Sequence, residues 1–121
     1  MATIIIFEDL EIWQKAREIC NDVWLMMEET TLQKDYGLKN QMNTSSGSVM
    51  DNIAEGFDRM SDKEFVRFLY IALGSCSEVK SMLYLSNRLN YLSQHQSDEL
   101  IIKANEVGRI IRGLIKSISQ K

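Results

Sequence analysis

Apolar residues recur at three- and four-residue steps along most of this chain, which is the spacing of one face of an α-helix. The last stripe, from Leu100 to Ile118, alternates steps of four and three residues without a break, a pattern typical of left-handed bundle packing. The four stripes are Trp13, Ala16, Cys20, Val23, Trp24 and Met27; Leu38, Met42, Val49, Ile53 and Phe57; Phe65, Phe68, Leu69, Ala72, Cys76, Val79 and Leu83; and Leu100, Ala104, Val107, Ile111, Leu114 and Ile118. The pattern predicts four helices, each about 30–40 Å long.

Polar segments between the stripes bound these helices. We expect Asp9 to cap helix 1, which should end near Glu29, and we expect helix 2 over residues 38–57. Helices 3 and 4 each begin at a capping box, Ser61–Glu64 and Ser93–Gln96, in which the serine oxygen accepts an amide proton and the fourth side chain reaches back. Because short connections make consecutive helices antiparallel, the sequence predicts an all-α, up-down-up-down four-helix bundle.

The chain is expected to form a single domain over residues 1–121, since about 100–200 residues per domain is the usual range. Residues 1–8 lie outside the helical pattern. They are predicted to form an extended arm, mostly apolar, that must dock on some surface. The sequence contains no proline, a residue that costs a helix interior about 3 kcal/mol, and this agrees with long uninterrupted helices.

The composition favours a cytoplasmic protein. Cys20 and Cys76 lie within apolar helical patterns, and we expect free thiols in a reducing compartment rather than a disulfide. The apolar run Ile4–Phe7 is too short for a signal peptide and has no basic residue before it. No stretch approaches the roughly 18 uninterrupted apolar residues of a membrane span, so we expect no membrane partner.

Helix 2 also carries a polar stripe. Its members, at steps of three and four residues, are Gln41, Ser45, Ser48, Asn52 and Glu55. Such a stripe either lines a site or forms a hydrogen-bond network that fixes the register of helix packing. We favour the structural interpretation, because small hydroxyl side chains let two helices approach closely.

A helical hairpin that turns about residue 60 would place Gln41 level with Glu78 or Val79, Ser48 level with Ala72, and Asn52 level with Phe68. In that register Glu55 and Glu78 lie about 20 Å apart by helical rise. Paired acid and base catalysis needs a separation of roughly 5–10 Å. These carboxylates are therefore not expected to form a catalytic pair.

Other catalytic and ligand-binding motifs are missing from the sequence. There is no metal-ligand spacing, no nucleophile elbow and no glycine-rich phosphate loop. The single histidine, His95, falls in a predicted turn and is expected to be solvated and without a partner. We predict a protein that is not an enzyme and has no cofactor and no metal site.

Charge is distributed unevenly along the chain. Residues 8–29 hold seven acids and two bases, whereas residues 100–121 hold one acid and five bases. A basic helix can be a nucleic-acid footprint, and the candidate residues are Lys103, Arg109, Arg112 and Lys116. The net charge of −3 and the pI near 5.2 argue against a globally basic nucleic-acid binder. Since helices 1 and 4 are neighbours in this fold, we favour opposite charges that flank one groove or meet between subunits.

Several short motifs together resemble a known family. They are Phe7-x-x-Leu10-x-x-Trp13-x-x-Ala16, Tyr36-Gly37-Leu38-x-x-Gln41, Ser48-x-x-x-Asn52-Ile-Ala-Glu-Gly56, Ser61-x-x-Glu64-Phe65-x-x-Phe68-Leu69 and Ala72-Leu-Gly-Ser75-x-x-Glu78. In this order they resemble the small bacterial four-helix-bundle proteins that are named after intervening sequences in 23S ribosomal RNA genes and are sometimes labelled ribosomal proteins. The residues that carry the family signature are Gln41, Ser48, Asn52, Glu55, Gly56, Ser75 and Glu78.

The resemblance implies a scaffold or interaction role and assembly of the chain with itself into a ring, with a homopentamer as the expected form. The family is similar in architecture to accessory proteins of diversity-generating retroelements, which form pentameric barrels and bind nucleic acid and a reverse transcriptase. The alternative function is therefore RNA or DNA binding through the basic helix 4. The acidity of this chain weakens that alternative more than it weakens the predicted fold.

Overall fold

The computed structural model describes residues 3–120, which form four long helices joined by short connections. The helices are α1 (Glu11–Glu29), α2 (Tyr36–Asp58), α3 (Asp62–Arg88) and α4 (Gln94–Ser119), with single turns of 3-10 helix at Phe7–Asp9 and Thr31–Lys34. No β-strand occurs within residues 3–120. The predicted all-α class is confirmed.

Side-chain contacts show that α3 runs antiparallel to the helix on each side of it. Between α2 and α3, the Ser45 hydroxyl donates to Glu78, and the hydroxyls of Ser48 and Ser75 lie 2.8 Å apart. Between α3 and α4, the contacts are Cys76 Sγ to the Ala104 carbonyl and Ser97 Oγ to the Leu83 carbonyl. In both cases residue numbers rise along one helix as they fall along the other.

Helix α1 completes the bundle by packing between α2 and α4. Lys39 of α2 pairs with Glu28 at 3.3 Å, and Cys20 contacts Ser46 nearer the other end of α1. Lys15 pairs with Glu106 of α4 at 2.9 Å. Each helix thus packs against its sequence neighbours, and α1 and α4 close the bundle, as the up-down-up-down prediction requires.

The core is apolar and matches the predicted stripes closely for α2, α3 and α4. Helix α1 is rotated relative to expectation, because Ile12, Ile19 and Met26 are buried while Trp24 is 48% exposed. The indole of Trp24 lies instead against the ammonium of Lys39, 5.8 Å from the ring centroid. The sequence pattern therefore identified the helix but included a surface tryptophan in its buried face.

The N-terminal segment differs from the predicted arm. Residues 1 and 2 lie outside the described part of the chain, Ile4, Ile5 and Ile6 are exposed, and the 3-10 turn starts at Phe7. The predicted cap at Asp9 is wrong, because Asp9 belongs to that turn and Leu10 occupies the N-cap of α1 without a side-chain hydrogen bond. The arm therefore ends at residue 6 rather than at residue 8.

The two predicted capping boxes have different outcomes. Ser93 accepts from the Gln96 amide, and the Gln96 side chain accepts from the Ser93 amide, so this box is complete. Ser61 also accepts from the Glu64 amide, at 3.4 Å. The Glu64 carboxylate, however, pairs with Arg67 at 2.8 Å and not with the Ser61 amide. Both helices begin where predicted, but only α4 has the reciprocal box.

Candidate functional site

The polar stripe of α2 faces α3 along an open groove of about 470 Å³. The groove is lined by Asn40, Gln41, Thr44, Ser45, Glu78, Ser81 and Met82. It therefore contains two of the signature residues, Gln41 and Glu78. It also contains Ser45, which is 94% buried at the helix interface.

Hydrogen bonds join the stripe across the two helices. The Ser45 hydroxyl donates to Glu78 Oε2 at 3.0 Å. One turn along, Ser48 and Ser75 share a hydrogen bond of 2.8 Å, and Asn52 Nδ2 donates to the carbonyl and the hydroxyl of Ser48 at 2.8 and 2.9 Å. Every fully buried side-chain nitrogen or oxygen of residues 3–120 has a partner. Ser45, Ser48 and Asn52 of the stripe thus form one hydrogen-bonded set with Ser75 and Glu78 of α3.

The predicted register of the hairpin is wrong by about three residues on α3. Ser48 lies level with Ser75 and not with Ala72, and Glu78 lies level with Ser45 and not with Gln41. The cause is the connection between the helices. Helical backbone continues to Arg59, and Ser61 is then extended, with φ −142° and ψ 128°. Because of this extended residue the turn is not symmetric about residue 60, and each α2 residue faces an α3 residue about three positions later than predicted.

The remaining signature residues on α2, Glu55 and Gly56, do not join the network. Glu55 is exposed and pairs with Arg59 one turn on, at 3.0 Å. Glu78 contacts α2 at Ser45, ten residues before Glu55, which corresponds to about 15 Å of helical rise. The separation is shorter than the predicted 20 Å but still exceeds the reach of paired acid and base catalysis.

Gly56 has a packing role at the closed end of the hairpin. A Cβ atom placed on Gly56 would lie 2.5 Å from the Cβ of Phe68, which is closer than two such atoms can approach. This contact is the only place in the described glycines where a neighbour comes within 3 Å. The glycine therefore lets α2 and α3 meet at the start of the hairpin.

Sequence reasoning did not include Asn40, Thr44, Ser81 and Met82 among the residues of the groove. The signal was present, because Thr44 follows Gln41 by three residues and Ser81 follows Glu78 by three, which places each on the face of its predecessor. The polar surface is therefore wider than the predicted stripe. At Thr44 and Ser81 it faces solvent rather than the core.

The structure shows no further catalytic or metal-binding arrangement among the described residues. Within residues 3–120, no group of three His, Cys, Asp or Glu side chains is placed to hold a metal ion. His95 is 82% exposed, and its Nε2 lies 3.2 Å from Glu99, so the expectation that it has no partner is wrong. The pairing arises because the two residues are one turn apart in the first turns of α4.

The candidate basic residues of α4 fall into two groups. Lys103 contacts both Asp22 and Glu18 of α1, and its ammonium is held there by the aspartate. The hydrogen bond to Asp22 raises the pKa of Lys103 above its usual value. The other three candidates, Arg109, Arg112 and Lys116, are exposed. The structure thus assigns Lys103 to the seam between α1 and α4.

A second ion pair lies on the same seam, between Lys15 and Glu106. The hydrogen bond from Lys15 lowers the pKa of Glu106, and the same bond raises the pKa of Lys15. Opposite charges of α1 and α4 therefore meet within one chain, which is one of the two arrangements that the charge pattern predicted.

Comparison with known proteins identifies a family from the sequence and a similar fold from the structure. The sequence profile described as 23S rRNA-intervening sequence protein matches residues 8–113. No curated protein matches the chain significantly. Among solved structures, the chain is similar to a protein of unknown function from the S23 ribosomal protein family of Bacteroides thetaiotaomicron VPI-5482. The TM-score is 0.79 at 23% identity, over 87% of this chain and 98% of that one. At this identity the similarity concerns the four-helix fold.

Proposed function

Because the chain belongs to the family of 23S rRNA-intervening sequence proteins, we propose that it is a non-enzymatic, homo-oligomeric interaction protein, with a ring of five copies as the expected assembly. The two cysteines are free thiols, one half-buried and one buried, which suits the reducing cytoplasm. The hydrogen-bonded polar stripe supports an architectural role, because Glu78 accepts from Ser45 and lies about 15 Å of helical rise from Glu55, which is too far for a catalytic pair.

The observation that carries this proposal is an exposed apolar face on α3. Tyr70, Ile71, Tyr84 and Leu85 are all exposed, and their spacing places them on one outward face of the helix. Gly74 lies between the two pairs, and no heavy atom lies within 4 Å of where its Cβ would be. The two pairs lie about 20 Å apart along the helix, with the exposed polar residues Ser77, Glu78 and Ser81 between them. Exposed large apolar residues with room for a close approach are typical of a protein–protein contact.

The proposal is tested by measuring the mass of the protein in solution by light scattering. We expect about five times the chain mass of 14.0 kDa. A monomeric mass at micromolar concentration contradicts the proposal. A stable oligomer of another size would support the oligomeric role but contradict the pentameric assembly.

The α3 face is tested by the double variant Ile71→Ser/Tyr84→Ser. Both side chains are exposed in the single chain, so the fold should survive, and the mass should fall toward that of a monomer or smaller assembly. Met60→Asn is the matched control. It removes another exposed apolar side chain from a turn with positive φ, where asparagine is well tolerated, and it should leave the mass unchanged.

Nucleic-acid binding is the second candidate function, and it is favoured by one observation. Arg109, Arg112 and Lys116 are all exposed on the C-terminal half of α4, and their spacing places them on one side of the helix. No acidic residue follows Glu106 in the sequence. We propose this surface as the place where RNA or DNA would contact the protein.

The nucleic-acid proposal is tested by the salt dependence of binding to single-stranded RNA. Three phosphate contacts should give a slope of about −2 in log affinity against log salt concentration. Arg109→Glu/Arg112→Glu should abolish binding, while Arg88→Glu, which makes half that charge change outside the surface, should weaken it only slightly. No binding at low salt, or unchanged binding by the double variant, contradicts the proposal.

A further inference from the structure

The outward face of α4 carries a stripe of residues that the bundle core does not use. At alternating steps of three and four residues, its members are Glu99, Ile102, Glu106, Arg109, Gly113 and Lys116. This spacing keeps them on one side of a helix over about 25 Å. Buried residues of α4 such as Val107 and Ile111 lie on the opposite side, so the stripe points away from the core.

The charges of this stripe are complementary to themselves. Glu99 and Glu106 occupy its N-terminal half, and Arg109 and Lys116 occupy its C-terminal half. If two copies of α4 pack antiparallel about a two-fold axis, Glu99 lies opposite Lys116 of the second copy, and Glu106 lies opposite Arg109. In this register each acidic residue of the stripe faces a basic residue of the other copy, and Glu106 does so in addition to its ion pair with Lys15 of its own chain.

The other two positions of the stripe are complementary in shape. Ile102 is 66% exposed, and in the same register it lies opposite Gly113 of the second copy. A Cβ on Gly113 would meet no heavy atom within 4 Å, so the packing of the single chain does not require glycine there. Glycine weakens a helix interior. Because Gly113 has no side chain, the helix surface has a depression there into which an isoleucine side chain can pack.

We infer that α4 forms an antiparallel, two-fold contact with α4 of a second copy, in which Ile102 of each chain sits on Gly113 of the other. The contact goes beyond the proposed ring and does not depend on it, because it uses α4 and not the apolar face of α3. In a protein that forms rings, it links one ring to another. In a protein that does not, it gives a dimer.

Helix α1 adds to the charge match at the end of the stripe. Glu29 and Glu99 line one groove between α1 and α4, of about 650 Å³. Lys103 also lines this groove, but its ammonium is already paired with α1. Lys116 of the second copy, placed opposite Glu99, therefore approaches a surface where acidic side chains are in excess.

The contact is tested by charge reversal followed by mixing, with the complex size measured by sedimentation velocity. Glu99→Lys and Lys116→Glu each place like charges in the outer pairs, and each variant alone should associate about tenfold more weakly than the wild type. An equimolar mixture of the two restores every outer pair to opposite charge. The mixture should therefore recover wild-type association, and added salt should weaken it.

Matched variants keep the result specific to this surface. Asp51→Lys makes the same charge change as Glu99→Lys at an exposed position of α2 and should leave association unchanged. Gly113→Leu should preserve helicity, measured by circular dichroism, while it prevents the contact. The inference is overturned if Glu99→Lys associates like the wild type, or if the mixture of reversed variants fails to recover association. It is also overturned if nuclease treatment removes the complex, since nucleic acid then occupies the stripe.

Discussion

At the scale of single residues, Gly56 is the described glycine that a neighbouring helix approaches most closely. A Cβ there would lie 2.5 Å from the Cβ of Phe68 and 3.2 Å from the Phe65 ring. The Cβ of Phe68 is attached directly to the α3 backbone and cannot rotate away. Gly47, nine residues earlier on α2, shows the opposite situation, because a Cβ at that position meets nothing within 4 Å.

We expect Gly56→Ala to destabilise the protein by about 1–3 kcal/mol, since the added methyl forces the two helices apart. Gly47→Ala is the matched control. It gains helix propensity without a clash and should stabilise the protein by about 0.5–1 kcal/mol. Urea unfolding of both variants measures the difference. If Gly56→Ala is as stable as Gly47→Ala, the close approach does not hold the hairpin together.

Small and polar residues recur every four positions along α2, but the sequence does not show which of them packs most closely against α3. Thr44, Ser48, Asn52 and Gly56 recur every four residues, and on spacing alone each could have made the close contact. In the structure Thr44 is exposed, Ser48 meets α3 through its hydroxyl, and Gly56 is the position with no room for a Cβ atom. The difference depends on the register of the hairpin, which the extended backbone at Ser61 sets and which side-chain spacing does not encode.

At the scale of helices, the seam between α1 and α4 is held partly by ion pairs. Lys15 pairs with Glu106, and Lys103 pairs with Asp22 and Glu18. Because the predicted fold makes these helices neighbours, the uneven charge of the sequence indicated opposite charges along this seam. It could not show which lysines form the ion pairs, because that depends on how α1 is rotated about its axis. The same rotation places Trp24 on the surface.

The Lys15–Glu106 pair predicts a pH dependence of stability. The pKa of Glu106 is lowered below its ordinary 4.5, so its contribution is present above 4.5 and is lost as pH falls through the lower folded-state pKa. The pKa of Lys15 is raised above 10.5, so its contribution is present below 10.5 and is lost as pH rises through the higher folded-state pKa. The pair should stabilise the fold between these limits.

We expect Lys15→Met to lower the melting temperature modestly at neutral pH, because exposed ion pairs contribute little. The difference from the wild type should shrink when the pH falls below 4.5 or rises above 10.5, as either partner loses its charge. Lys34→Met is the control, since Lys34 lies outside the seam. A melting difference that does not change from neutral to acidic pH contradicts the assignment.

At the scale of the whole molecule, the helix count, the all-α class and the antiparallel order could be predicted from the sequence. They depend on local information, namely the apolar periodicity and capping residues such as Ser93. The outer faces could not be predicted in the same way. Ile71 on α3 and Ile102 on α4 are apolar residues of amphipathic helices, and only the packed bundle shows that both face solvent.

Within residues 3–120, no helix could span a membrane. The two outward faces lie on different helices: the face of α3 is apolar, and the face of α4 is charged. If both proposed contacts form, the chain contacts other copies through two helices at once, and several of its exposed large apolar residues lie in those contacts.

The position of the α1–α4 seam also determines the order in which the chain can fold. Helices α2 and α3 are connected by only three residues, so their hairpin can form with little loss of chain entropy. The seam joins residues 81 positions apart, as in the Lys103–Asp22 pair, and its closure costs more entropy. The hairpin should form first and α1 should dock last, which amide hydrogen exchange would register as faster exchange in α1 than in α2 and α3.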